Sequence, residues 1–351
     1  MNRLKTLRDL MNKDGFDLFL VTSQENRYYL SGFYGTAGAL VITANDALLF
    51  VDFRYEEQAV RQCRNFTVCK YEGNLLAAVA EKCKKFHPVQ IGFEGKHLSY
   101  AEYEELDTAF GNGKLVSSDM IEKMRMIKDD EEIRILKHAL HITEEAFWHV
   151  LELIGPGLTE KKVAAEIEYA MRQRGAEGAS FETLVAAGAR SAMPHWRASD
   201  EQLKKGDLVI LDFGARWQGY CADFTRTLVI GQATEKQREI HELVVKAQEN
   251  CIYNLKAGLK AAAGDKVARD IISQAGYGDS FGHGTGHGLG LFIHEEPRLS
   301  PHAGESTLEA GNVVTVEPGI YLPGWGGIRV EDMVIIEEDK AVSWNSIPHQ
   351  L

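Results

Sequence analysis

The sequence predicts an α+β chain of two domains: a smaller mixed α/β domain over residues 1–124, then a larger domain of helices and strand hairpins over 125–351. Three observations carry that reading. Residues 1–120 alternate helix-like and strand-like segments. A charged start at Asp129-Asp130 opens a long helical pattern, which puts a boundary near Met120–Lys128. Beyond it, strand-like apolar runs follow one another across glycine-rich connections, and four of them carry an acid.

The elements follow in order. Leu4, Leu7, Leu10 and Met11 form one face of a short helix that Gly15 can end. Ala39–Thr43 and Ala47–Val51 flank Asn45-Asp46 and read as a hairpin, and Leu75 to Phe86 is helical up to Pro88. The long helix carries Ile133, Leu136, Ala139, Leu140, Ala146, Phe147, Val150 and Leu151 at helical spacing and is expected to end at Gly155-Pro156-Gly157. Thr159 caps the next helix, and Gly175 terminates it. Strands around 208–215 and 220–230 meet through Trp217-Gln218-Gly219. A turn centred between Trp217 and Gln218 places Asp212 directly opposite Asp223. Glu317 and Glu331 repeat the arrangement across a longer connection, Pro318 to Gly327, which hints at internal pseudo-symmetry.

Composition narrows the function classes. A net charge of −12 and a pI near 5.5 argue against nucleic acid as a partner. No apolar run approaches the length that spans a bilayer, so no membrane partner is expected. The first residues carry charges every few positions and no apolar core of a leader. Five cysteines, 63, 69, 83, 221 and 251, lack metal-finger spacing and read as reduced thiols of a cytoplasmic protein.

The chemistry lies in Asp212, Asp223, His287, Glu317 and Glu331. The acids sit in Val209–Gly214, Gly219–Thr227, Val313–Gly319 and Gly327–Val334, each strand-like or glycine-rich. An acid inside such a strand must be paired, protonated or bound to a cation, because a bare buried carboxylate is costly. Opposed residues on one sheet face have Cβ atoms about 4.5–5.5 Å apart. Two like charges there repel by about 4 kcal/mol at 4 Å and an effective dielectric of 20. Two divalent cations remove that repulsion. One such acid alone is usually a cap, a salt bridge or a turn residue; four with a glycine-flanked histidine suggest a dinuclear metal site. An oxygen-rich set with one imidazole suits Mn²⁺, Co²⁺, Fe²⁺ or Zn²⁺, and manganese is the first expectation.

These motifs also carry a resemblance. Phe281-Gly282-His283-Gly284-Thr285-Gly286-His287-Gly288-Leu289-Gly290 resembles the signature of the pita-bread metallopeptidases of the creatinase/aminopeptidase group, peptidase family M24. So do Asp212-Phe213-Gly214 with Asp223-Phe224-Thr225-Arg226-Thr227, Val316-Glu317-Pro318-Gly319-Ile320-Tyr321 and Ile328-Arg329-Val330-Glu331-Asp332. Within that group the chain resembles the proline-specific branch, aminopeptidase P and prolidase. The match covers roughly 125–340. Tyr28–Gly35 and Val51–Tyr55 extend it, more weakly, to that branch's amino-terminal domain.

The resemblance implies a pita-bread catalytic domain behind a creatinase-like amino-terminal domain. It implies Asp212, Asp223, His287, Glu317 and Glu331 as ligands of two divalent ions, Asp223 and Glu331 bridging, with Glu317 also a proton shuttle. His195 would face substrate, and His283 and His294 would line a proline pocket and steady the tetrahedral intermediate. Tyr321 and Arg329 would support the pocket. The implied substrates are peptides with proline second, and the implied assembly is a homodimer. From its own context, Arg298 is either a bidentate partner for a substrate carboxylate or a surface arginine. His138, His141 and His149 read as a solvated helix face. Leu30–Gly35 leans toward an Xaa-Pro aminopeptidase, while Arg298 pulls toward an Xaa-Pro dipeptidase. Methionine aminopeptidases share the five ligands but usually lack the amino-terminal domain. Non-catalytic peptide-binding relatives have lost ligands that this chain keeps.

Overall fold

The strand runs Leu-Phe-Leu-Val (18–21), Ala-Leu-Val-Ile-Thr (39–43) and Ala-Leu-Leu-Phe-Val (47–51) show no polar alternation, and every one of their residues is buried. They form the middle of a six-stranded mixed sheet in the computed structural model, which describes residues 2–111 and 113–351. The outer strands Thr67–Lys70 and Lys114–Ser117 are half-exposed. The Ala39–Val51 hairpin has the expected turn, with Ile42 paired to Ala47. Helix Arg3–Asp14 ends at Gly15 with φ 76°, but it buries only Leu7 and Met11 of the four apolar residues on its face. Contacts divide the chain after Met124, and a short helix, Met120–Met126, occupies the region that the sequence marked only as a boundary.

The second unit repeats one order: a helix pair, then an acid-bearing hairpin. The first pair is Asp130–Leu151 with Glu160–Gln173, and the second is Glu235–Asn254 with Ala261–Gln274. Asp129 and Glu132 close a capping box at the long helix, and Thr159 caps its neighbour. The long helix stops at Leu151, short of the Gly-Pro-Gly expected to end it. Ile154 N–H closes the final turn on Val150 O at 2.8 Å, and the residue before Pro156 is disfavoured in helical backbone.

The first hairpin corrects the predicted register. Its turn residues are Gln218 and Gly219, both left-handed at φ 47° and 77°, between paired Trp217 and Tyr220. The turn centre therefore lies one residue later than expected. Asp212 pairs with Thr225 rather than Asp223, because register moves by two residues for each residue of turn displacement. Asp223 stays on the same face but diagonal to Asp212. It sits where a Cβ on Gly214 would meet Ala222 O at 1.7 Å, so only glycine lets the strands close.

In the second hairpin, Val313–Val316 pairs with Asp332–Ile336 and Gly319–Leu322 with Gly326–Arg329. Glu317 and Glu331 face each other in the gap between the pairs Val316–Asp332 and Gly319–Arg329. An isolated bridge, Thr225–Glu331, ties the two hairpins together. Apolar clusters around Phe213 and Phe224, and around Val314 and Val316, back the sheets on which the acids stand. Among the described residues no helix is long and apolar enough to cross a membrane.

Candidate metal centre

His287 lies in strand Gly286–Gly288, inside a five-stranded sheet. A Cβ on Gly286 would meet Thr315 O at 1.9 Å, so the glycine run serves close strand approach. Nδ1 of His287 donates to Gly288 O at 3.0 Å, which leaves the Nε2 lone pair facing the acids. Asp223 Oδ2 lies 3.5 Å and Glu317 Oε1 3.4 Å from that nitrogen. Ligand atoms of Asp223, His287 and Glu331 all fall within 4.8 Å of one another.

Two threonines orient these groups. Thr225 Oγ1 donates to Glu331 Oε2 at 2.6 Å. Thr315 Oγ1 accepts from His287 N–H at 3.0 Å and donates to Glu317 Oε1 at 3.2 Å. Asp212 lies on the same cavity but its carboxylate accepts from Arg329 Nη2. Arg329 Nη1 donates onward to Tyr321 O–H at 2.7 Å, and that hydroxyl lies 2.9 Å from His283 Nε2. His283 Nδ1 lies 2.8 Å from Gly284 O. With Nδ1–H donating there, Nε2 accepts from Tyr321, and a chain of hydrogen bonds runs from Asp212 to His283.

The electrostatics of this donor set call for cations. Burial first, then the charges of Glu331, Asp212 and Glu317, hold Asp223 well above the carboxylate range. Burial and the charges of Glu317 and Asp212 do the same to Glu331. Glu317 is pushed up to about 7, mainly by burial. Burial, with His294 adding, pushes His287 down to about 3. Left alone, the cluster sheds charge, as buried ionisable groups without a counter-ion do. Three buried carboxylates, the half-buried Glu317 and one imidazole, with the buried guanidinium of Arg329 against Asp212, fit divalent cations that prefer oxygen and nitrogen donors.

A cavity of about 580 Å³ opens over the cluster. Every site residue named from the sequence lines it except Tyr321, which stands behind His283. His294 packs its ring 4.4 Å from that of His287. His195 is exposed on a loop. Arg298 is 52% exposed and its closest ionic partner is Glu296 at 3.8 Å. His138 and His141 are exposed, and the His138 ring packs tilted against Trp217, 4.1 Å between centroids, away from the cavity lining. The sequence reading did not single out Thr225, Thr315, Glu182 or Arg197. Both threonines stand two residues from an acid on the same strand face, a period-two signal that was available.

The comparisons agree with this geometry. The family model described as metallopeptidase family M24 matches residues 134–338, and that of the Creatinase/Prolidase N-terminal domain matches 3–127. An Xaa-Pro dipeptidase of Pyrococcus horikoshii is 38% identical over 344 residues, 96% of this chain and 95% of the relative. The solved Xaa-Pro dipeptidase from Bacillus anthracis superposes with a TM-score of 0.96 at 40% identity, covering 99% of this chain and 98% of that one. The X-Pro aminopeptidase from Thermotoga maritima gives 0.92 at 38% identity, with 99% of both chains covered. The chain belongs to metallopeptidase family M24, with a pita-bread catalytic domain behind a Creatinase/Prolidase N-terminal domain.

Proposed function

We propose that this metallopeptidase hydrolyses the bond between an amino-terminal residue and proline, and that it acts on dipeptides. One observation carries the proposal: His195, His283, His294 and Arg298 line the same cavity as Asp212, Asp223, His287, Glu317 and Glu331. Arg298, whose closest ionic partner is 3.8 Å away, can take the carboxylate of a dipeptide as a bidentate partner. The names of the Pyrococcus horikoshii and Bacillus anthracis proteins support the dipeptidase choice. The second reading is an Xaa-Pro aminopeptidase, favoured by the Leu30–Gly35 segment and by the name of the Thermotoga maritima structure.

Asp212, Asp223, His287, Glu317 and Glu331 would hold two divalent ions, with Mn²⁺ the first to try. Bound divalent ions supply Lewis acidity and bring the pKa of water toward neutrality. The protein supplies the rest. Glu317 is held at Oε1 by Thr315, which leaves Oε2 to take a proton from the attacking water and return it to the proline nitrogen. His195 and His294 place N–H donors for the developing oxyanion. His283, its Nε2 against Tyr321, bounds the proline side of the cavity.

The test is to give Mn²⁺-loaded protein Ala-Pro and Ala-Pro-Ala side by side and measure released alanine. Cleavage of Ala-Pro alone supports the dipeptidase. Cleavage of both selects the aminopeptidase, and cleavage of neither removes the proline specificity.

A further inference from the structure

Each of the three cavity histidines outside the donor set, His195, His283 and His294, stands on, or beside, a segment anchored by a buried carboxylate that is itself no candidate ligand. Asp265 accepts Thr285 N–H at 3.0 Å and two Arg269 nitrogens at 2.8 Å, and Arg269 donates on to His283 O at 2.7 Å. Glu295, next to His294, accepts Phe292 N–H at 3.0 Å and pairs with Arg125 and Lys128. The most heavily loaded anchor is Glu160, with 0% of its surface exposed. Its Oε1 accepts Ala187 N–H and Arg190 Nε–H, both at 2.8 Å. Its Oε2 accepts Trp196 Nε1–H and Ser199 N–H, both at 3.0 Å, and Ser199 Oγ–H at 2.6 Å.

These five bonds saturate a carboxylate, which offers about four lone-pair sites. They also span one loop. Ala187 is its entry, Ser199 its exit, and Trp196 the neighbour of His195. The front of the loop has a second tie, since Ser191 Oγ accepts Gly327 N–H at 2.8 Å. The exit has another, from Lys161 N–H to Ser199 O at 3.0 Å. Between them Met193, His195 and Arg197 are exposed; Arg197 pairs with Glu182 at 2.9 Å, and Trp196, packed against Ala186, Ile210 and Tyr321, donates its indole N–H to Glu160 beside His195. Glu160 opens helix Glu160–Gln173, where the backbone dipoles favour an anion. Burial works against its charge, but the bonds from Ser199, Trp196, Ala187 and Arg190 prevail and keep it ionised.

We infer that Glu160 is a positioning residue for His195, setting where the imidazole stands in the cavity without touching substrate. The inference rests on the proposed peptidase reading. Glu160→Gln keeps the shape but turns one edge of the group from acceptor to donor. That edge then meets either Ala187 and Arg190 or Trp196 and Ser199 donor against donor, and the loop loosens around His195.

The experiment is a double-mutant cycle on Mn²⁺-loaded protein with the dipeptide Ala-Pro. Glu160→Gln is expected to lower kcat/KM about 10- to 100-fold, the scale of a misplacement near 1 Å. Its split between kcat and KM should match that of His195→Asn, and Mn²⁺ affinity should stay within about twofold of wild type. In the His195→Asn background, Glu160→Gln should cost no more than about twofold further. Losses that multiply, or Mn²⁺ affinity falling in step with activity, overturn the inference while leaving the peptidase reading standing. His195→Asn at the wild-type rate also overturns it. Wild-type protein that cuts neither Ala-Pro nor Ala-Pro-Ala removes the underlying reading and this inference with it. Should Glu160→Gln fail to fold, Trp196→Phe deletes the indole N–H donation to Glu160 at 3.0 Å and enters the same cycle.

Discussion

Thr225→Val tests whether the two hairpins build one metal centre. Thr225 is fully buried in strand Phe224–Val229, and its main chain bridges to Glu331. Valine keeps the branched shape and the strand preference, so packing survives and only the hydroxyl is lost. Two contacts go: the 2.6 Å donation to Glu331 Oε2 and the 3.3 Å bond accepted from Arg329 Nε. The short one dominates. Once a cation holds Glu331 ionised, a hydrogen bond to that charged group contributes about 1.5–3 kcal/mol net. At about 1.4 kcal/mol per decade this is roughly 10- to 150-fold in a dissociation constant, which overlaps the 10–100-fold expected of groups that orient metal ligands. Titration calorimetry of Mn²⁺ into metal-free Thr225→Val should therefore show affinity weakened by about 10- to 100-fold. Thr225→Ser, which keeps the hydroxyl, should restore most of it. Affinity within twofold of wild type would refute the reasoning, because Glu331 would then need neither this bond nor this orientation to do its work.

Three further outcomes follow from particular residues. Glu317→Gln should abolish turnover of Ala-Pro with melting temperature nearly unchanged; retained activity would take the proton-shuttle role from Glu317. Gly286→Ala should cost more than the roughly 1–3 kcal/mol of ordinary overpacking, since its Cβ would meet Thr315 O at 1.9 Å in a central strand; soluble protein with a wild-type melting curve would contradict that packing. His241 is buried, and burial, with His349 and Arg226 adding, pushes it from 6.5 down to about 4. The unfolded chain therefore binds a proton that the folded chain refuses between those values, and this contribution to stability, present above 6.5, is lost as pH falls to about 4. At about 1.4 kcal/mol per unit the loss reaches roughly 3 kcal/mol, and urea melts of His241→Gln should lack that share of the acid dependence; parallel curves for variant and wild type would exclude it.

The mixed architecture, the capped helices and the donor residues were legible because each is written locally. Thr159 and Gly175 bracket a helix within a short stretch of chain. Asp212, Asp223, His287, Glu317 and Glu331 stand out because acids and a histidine interrupt apolar or glycine-rich runs. The glycines around His287 announced close approach, although the partner, Thr315 O, was not in view. The register of the first hairpin was not legible: it depends on whether the left-handed pair is Gln218-Gly219 or one residue earlier, a backbone choice that residue types leave open. The pairing of Asp212 with Arg329, of Thr225 with Glu331, and of Glu160 with Trp196 and Ser199 was equally hidden. These contacts join residues 117, 106, 36 and 39 positions apart. Sequence alone thus determined which side chains have the chemistry to bind metal, because chemistry and local periodicity belong to single segments. Only the tertiary structure decided which of them face one another and what holds them there, because hydrogen bonds between distant strands and loops form when the whole chain packs and leave no mark at the spacing of neighbouring residues.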